Sequence, residues 1–87
     1  MEKEYLIAFS SFYKAAYAKD MLNENGFAAA LRRLPAELAR SCSTGVYMKS
    51  GSEEDIADVF ERKQIVPRGI YEIYEEPSGE KQYYRVR

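Results

Sequence analysis

The order of segments along the chain predicts an α+β, ferredoxin-like βαββαβ fold, an antiparallel sheet covered by two helices, with an added C-terminal β-hairpin strand. Three observations carry this. Strand-like runs and helix-like stripes alternate in the order that arrangement needs. Each of two serine-led helical segments follows a strand and ends at Asn-Gly or before proline. The 87 residues, 46% hydrophobic and 31% charged, supply a globular composition with room for one core only.

The elements follow in turn. Tyr5-Leu6-Ile7-Ala8-Phe9 is a short continuous apolar run, which suits a strand buried on both faces, β1. Ser10 and Ser11 offer N-cap hydroxyls for a helix, α1, that runs to Asn25. Its stripe of Phe12, Ala15, Ala18, Met21 and Leu22 is narrow enough to lie close on a sheet, and Gly26 stops it. Phe27, Ala29 and Leu31 alternate with Ala28, Ala30 and Arg32, predicting a half-exposed strand, β2. Pro35 breaks the ladder, and Pro35 to Arg40 suits one helical turn. Gly45-Val46-Tyr47-Met48-Lys49 resumes a strand, β3.

Ser50-Gly51-Ser52 and the acids Glu53, Glu54 and Asp55 suit the N-terminus of a second helix, α2. Ile56, Val59 and Phe60 form its buried face, Lys63 complements its dipole, and Pro67 prevents continuation. Ile70, Tyr71, Ile73 and Tyr74 mark β4. Pro77-Ser78-Gly79-Glu80 is a turn, and Lys81 to Arg87 has the composition of a fifth strand. A turn centred on Ser78-Gly79 sets Glu76 opposite Lys81, Tyr74 opposite Tyr83, Ile73 opposite Tyr84, Glu72 opposite Arg85 and Tyr71 opposite Val86. Tyr71, Ile73, Tyr84 and Val86 then face the helices, and Tyr74 and Tyr83 face water with the charged pairs. Without a repeat or a linker, residues 1–75 form one ferredoxin-like domain, and 76–87 extend it as a hairpin.

Composition excludes whole chemistries. The absence of histidine removes serine-type triads, thiol hydrolases with an imidazole base, and imidazole metal sites. A single cysteine, Cys42, forms no internal disulfide and no thiolate metal cluster, so no metal or cofactor is expected. Thirteen Lys+Arg against 14 Asp+Glu give a net charge of -1, which argues against nucleic acid as a partner, and the eight tyrosines read as structural, with Tyr71, Tyr74, Tyr83 and Tyr84 suited to cross-strand packing. The amino-terminal Met1-Glu2-Lys3-Glu4 has no signal-peptide pattern, and no apolar run approaches a bilayer span. Neither a membrane partner nor export is expected, and the cytoplasm is the default compartment.

Arg40-Ser41-Cys42-Ser43-Thr44-Gly45 surrounds the thiol. An unpaired cysteine is more often a buried filler, but here its neighbours are small and polar. In βαββαβ the β2–β3 connection lies at the same end of the sheet as the β1–α1 connection, so Cys42 should face Ser10 and Ser11. The N-terminus of α1, with Arg32, Arg33 and Arg40 flanking the loop, favours a thiolate there. Ser10 and Ser11 could also hold an anion, although plain capping is commoner.

These residues resemble the selenium/sulfur carrier-like family. Phe9-Ser10-Ser11 with Ala15, Ala18, Leu22 and Gly26 is similar to the family's Phe-Pro-Ser start and helix. Pro35-Ala36-Glu37-Leu38 resembles its Pro-x-Glu-Leu/Ile segment, Ser41-Cys42 falls at its Ser-Cys-Gly, and Gly69-Ile70-Tyr71 resembles its closing Gly-Ile-Tyr. The resemblance implies that Cys42 is a carrier thiol, supported by Ser10, Ser11, Ser41, Ser43 and Arg40. It would be loaded as a persulfide-type adduct by a sulfur or selenium donor such as a cysteine desulfurase. Two positions depart: Ser10 stands where the family often has proline, and Ser43 where glycine follows the cysteine. If that glycine supplies a positive φ, serine adopts it at a cost. The rival reading is a non-catalytic interaction module that offers its β2 edge or its hairpin to a partner strand, with Cys42 incidental.

Overall fold

β1 (Lys3–Ala8) is the strand on which the rest is laid. In the computed structural model, which describes residues 2–87, it is followed by α1 (Phe12–Glu24), β2 (Ala30–Arg33), β3 (Thr44–Ser50), α2 (Glu53–Lys63), β4 (Gly69–Glu75) and β5 (Lys81–Arg85). Met1, part of the amino-terminal stretch read for a leader, lies outside the described residues. The sheet order is β2-β3-β1-β4-β5 and every pairing is antiparallel. This is the ferredoxin-like βαββαβ arrangement with a fifth strand at the β4 edge.

The predicted two-sided burial of β1 holds, with Tyr5 to Phe9 all at 2% exposure or less. Its odd-numbered residues, Tyr5 and Ile7, and Phe9 beyond its end, join Val46, Met48 and Ile70 beneath Ala15, Ala18 and Leu22 of α1 and Ile56, Val59 and Phe60 of α2. Its even-numbered residues, Leu6 and Ala8, lie on the other face under Leu34, with Leu38, Ala39, Tyr47, Ile73 and Tyr83 packed alongside. Two covers on one strand explain why an uninterrupted apolar run stands here and an alternating one elsewhere.

Four expectations need correction. Phe12 lies outside the α1 stripe at 59% exposure, because α1 seats itself on the smaller Ala15, Ala18 and Leu22. β2 is paired only over Ala30–Arg33, although Phe27, Ala29 and Leu31 do turn toward the core. The tail is an ordered strand, but its register differs by one: Tyr71 pairs with Arg85, Glu72 with Tyr84, Ile73 with Tyr83, Tyr74 with Gln82 and Glu75 with Lys81. The cause is the turn. The Gly79 N–H bonds to the Glu76 carbonyl at 2.8 Å, the Glu76 N–H to the Glu80 carbonyl at 2.7 Å, and Gly79 takes φ +91. A positive-φ glycine closing a three-residue loop is the usual device for ending a tight turn in a bulge, and it removes one residue from the loop expected here.

The faces are the fourth correction and follow from the register. Ile70, Glu72, Tyr74, Tyr84 and Val86 are on the helix side, whereas Tyr71, Ile73 and Tyr83 are on the other. Glu72, expected in water, is therefore buried beside Tyr5, its cross-strand neighbour.

Candidate functional site

The β2–β3 connection is a hairpin loop folded over the open face of the sheet. Beyond the Arg33–Thr44 pair the ladder gains one more bond, the Leu34 N–H to the Ser43 carbonyl at 2.7 Å. Pro35 then starts the single helical turn expected of it: the Leu38 and Ala39 N–H groups both reach its carbonyl, at 2.9 and 3.0 Å. That turn brings Leu38 and Ala39 down onto Leu6 and Ala8. Arg40, Ser41 and Cys42 carry the chain back to β3.

Antiparallel pairing of Ala8 with Gly45 puts this return beside the start of α1. The two segments touch, as the Ser41 hydroxyl donates to the Ser10 carbonyl at 3.1 Å. The link to the helix start thus runs through the residue before the cysteine. Cys42 itself is half-buried and bonds locally. The Thr44 N–H points to its Sγ at 3.4 Å, and as a thiol it can donate to the Thr44 carbonyl at 3.5 Å. The backbone N–H directed at the sulfur helps hold it in place, while the half-open side leaves the atom within reach of a reactant.

The remaining predicted residues divide. Ser11 is the N-cap of α1, its hydroxyl accepting the Lys14 N–H at 3.1 Å, and the Ser10 hydroxyl accepts the Lys14 ammonium at 3.2 Å. Both hydroxyls have structural work, so capping is the role the geometry gives Ser11. α1 has no acid in its first turn, which leaves its positive end uncompensated by side chains. Ser43 contributes its carbonyl to Leu34 and has no positive φ, so serine in place of the family's glycine carries no left-handed strain. Arg40 and Arg33 are exposed at the same end of the sheet, but Arg32 turns away: its guanidinium stacks 3.7 Å above the Tyr47 ring on the open face.

Two residues that hold the loop escaped the sequence reading. Arg68, at the entry to β4, donates from Nη2 to the Leu38 carbonyl at 2.7 Å and from Nε to the Phe9 carbonyl at 3.3 Å, and its own N–H bonds to the Ala8 carbonyl at 2.7 Å. One side chain thereby ties the Pro35–Ala39 turn to the end of β1. A cation between Pro67 and the Gly69-Ile70-Tyr71 strand start was the only available signal. Gly45 is the second. A Cβ there would stand 2.6 Å from the Ile7 carbonyl oxygen and 2.5 Å from Leu34 Cδ2, so only glycine lets Leu34 cross β3 and seal the open face. A glycine inside a strand pattern was the one signal available for that close approach.

Comparison with curated proteins and with solved structures returns no match. Residues 4–72 match the Se/S carrier protein-like family, a span that takes in β1 through most of β4, the Cys42 loop, Gly45 and Arg68 and stops short of the hairpin. The chain belongs to the Se/S carrier protein-like family.

Proposed function

We propose that the protein carries sulfur or selenium on Cys42. The observation that supports this most is the setting of the thiol: half-buried, with the Thr44 N–H on its sulfur, in a loop fastened at both flanks by Ser41 to Ser10 and by Ser43 to Leu34. Loading is a transfer between sulfurs. The Cys42 thiolate attacks the outer sulfur of a donor persulfide, the donor's S–S bond breaks as the new one forms, and the donor leaves as a thiolate. The outer sulfur keeps its proton, and no external oxidant or reductant is consumed. The Thr44 N–H helps hold the Cys42 sulfur in place before attack and remains beside the adduct afterwards. Ser11 and Arg68 act by holding the helix start and the loop in place.

In this reading a cysteine desulfurase is a suitable donor, since it presents a persulfide on its own cysteine, and a reducing cytoplasm keeps the lone thiol free. The test is intact-mass measurement after incubation with a desulfurase and cysteine. The expected product is heavier by one sulfur atom and is absent from Cys42→Ser. No adduct under conditions that load an established acceptor overturns the proposal.

A further inference from the structure

The hairpin outside the family match creates a second candidate site, on the helix side of the sheet where β4 and β5 extend past the helices. It is a cavity of about 580 Å³ lined by Glu72, Tyr74, Glu75, Glu76, Gln82 and Tyr84 among others, with no Lys or Arg in its lining. Of these residues only Glu72 falls within the span 4–72.

Its floor is a carboxylate with an incomplete set of partners. Glu72 is 7% exposed, yet among the described residues its nearest cation, the half-exposed Lys3 ammonium, stands 3.9 Å away. Burying a carboxylate is costly unless a cation or several donors meet it. The half-exposed Tyr74 phenol stands beside this carboxylate, which holds it above the ordinary phenol range. Behind it Tyr5 is fully buried and its hydroxyl has no hydrogen-bond partner among the described residues; burial, then the charge of Glu72, holds this phenol up as well. Cross-strand pairing sets Tyr5, Glu72 and Tyr84 in one row on one face. The walls are aromatic: Tyr74 and Tyr84 meet edge to face, ring centres 5.1 Å apart. A buried carboxylate between aromatic faces, with Glu76 at the rim and the Glu75 carboxylate already paired with Lys81 at 3.3 Å, is complementary to a planar cation, above all a guanidinium that can pair with the carboxylate and stack on a ring.

The sheet edge shows how such a cation could arrive. β5 is an outer strand. The bonds Glu76 N–H to the Glu80 carbonyl and Val86 N–H to the Ile70 carbonyl fix the phase of the ladder, so Gln82 and Tyr84 direct their backbone groups at β4 while Tyr83 and Arg85 direct theirs outward. An extended segment pairing with Tyr83 and Arg85 places the residue opposite Tyr84 on the face of the cavity. We propose that the β4–β5 hairpin docks an extended, basic segment of a partner protein, whose arginine enters the cavity above Glu72. This site is separate from the Cys42 loop and does not depend on the carrier reading.

The probe is the acetylated, amidated peptide Gly-Val-Arg-Val-Gly titrated into the ¹⁵N-labelled full chain, beside the same peptide with citrulline for arginine and beside free arginine amide. Expected are amide shifts confined to Tyr5, Glu72, Tyr74 and residues 81–86. Affinity should fall at least about tenfold for citrulline and for Glu72→Gln, and roughly threefold for Tyr84→Leu at the exposed wall. Tyr84→Leu serves if Glu72→Gln does not fold. Cys42→Ser should bind as the parent does. Equal binding of the citrulline peptide, shifts centred elsewhere, or no shifts at millimolar peptide overturns the proposal. Free arginine amide binding as tightly as the peptide overturns the strand-borne occupant in favour of a small cation.

Discussion

The two ends of the sheet treat their polar groups differently. At the Cys42 end each contact found joins a donor to a fixed acceptor: Ser41 to Ser10, Lys14 to Ser11, Leu34 to Ser43, and Arg68 to Phe9 and Leu38. At the hairpin end the Tyr5 hydroxyl is buried without a partner among the described residues, and Glu72 is buried with the Lys3 ammonium at 3.9 Å. Apart from the Ser11 hydroxyl, the acceptors at the first end are backbone carbonyls that cannot move without disturbing the strands and turns they belong to, which holds a thiol in one position. The second is left electrostatically unfinished, and buried groups in that condition lower stability in the free chain.

Substitutions that break the first end should cost most. Gly45→Ala drives a Cβ against the Ile7 carbonyl and is expected to destabilise by about 3 kcal/mol in urea unfolding, the upper part of the range for overpacking. Arg68→Met keeps the aliphatic stem but removes the two side-chain bonds that tie the Pro35–Ala39 turn down. It should cost about 2 kcal/mol and speed hydrogen exchange at Leu38 and Ala39 ahead of that in β1. Ser11→Ala removes only the helix cap and should cost about 1 kcal/mol.

The hairpin end should answer with the opposite sign. Tyr5→Phe deletes a hydroxyl that bonds to nothing among the described residues and is expected to stabilise by about 1 kcal/mol at neutral pH. It should also change the alkaline limb. Tyr5 and Tyr74 hold their protons above the ordinary value of 10.0, so above that pH the unfolded chain releases protons that the native chain retains. Stability is then fully present below pH 10.0 and falls as pH rises through the native phenol values. Tyr5→Phe should flatten part of that fall, as denaturant midpoints measured between neutral and strongly alkaline pH would show. An unchanged limb would mean that the phenol is not perturbed as described.

How much of this could be read from the sequence depended on the range of the contacts involved. The continuous run Tyr5 to Phe9 declared a strand covered on both sides, and strand order alone put Cys42 at the α1 end, because antiparallel pairing of β1 with β3 leaves no other place for the β2–β3 connection. Caps at Ser11 and Ser52 were equally local and equally visible. The hairpin register was not, since Pro77-Ser78-Gly79-Glu80 accommodates loops of different length and the choice rests on the φ of Gly79. That slip of one residue hid the burial of Glu72 and with it the cavity. Arg68 was invisible for another reason: its acceptors, the carbonyls of Phe9 and Leu38, carry no side-chain signature at all.

The central place of β1 also sets a timetable for folding. Tyr5 pairs with Met48 on one side and Glu72 on the other, so the first strand in sequence acquires its neighbours only after two long loops have closed. Each closure must be met from chain entropy before the core contacts return anything, so the helices are free to flicker early while the sheet forms as a late, cooperative event. During synthesis an apolar segment from Tyr5 to Phe9 would therefore wait for β3, and keep one edge open until β4 has emerged, and it is in that interval that the chain is most open to associating with others.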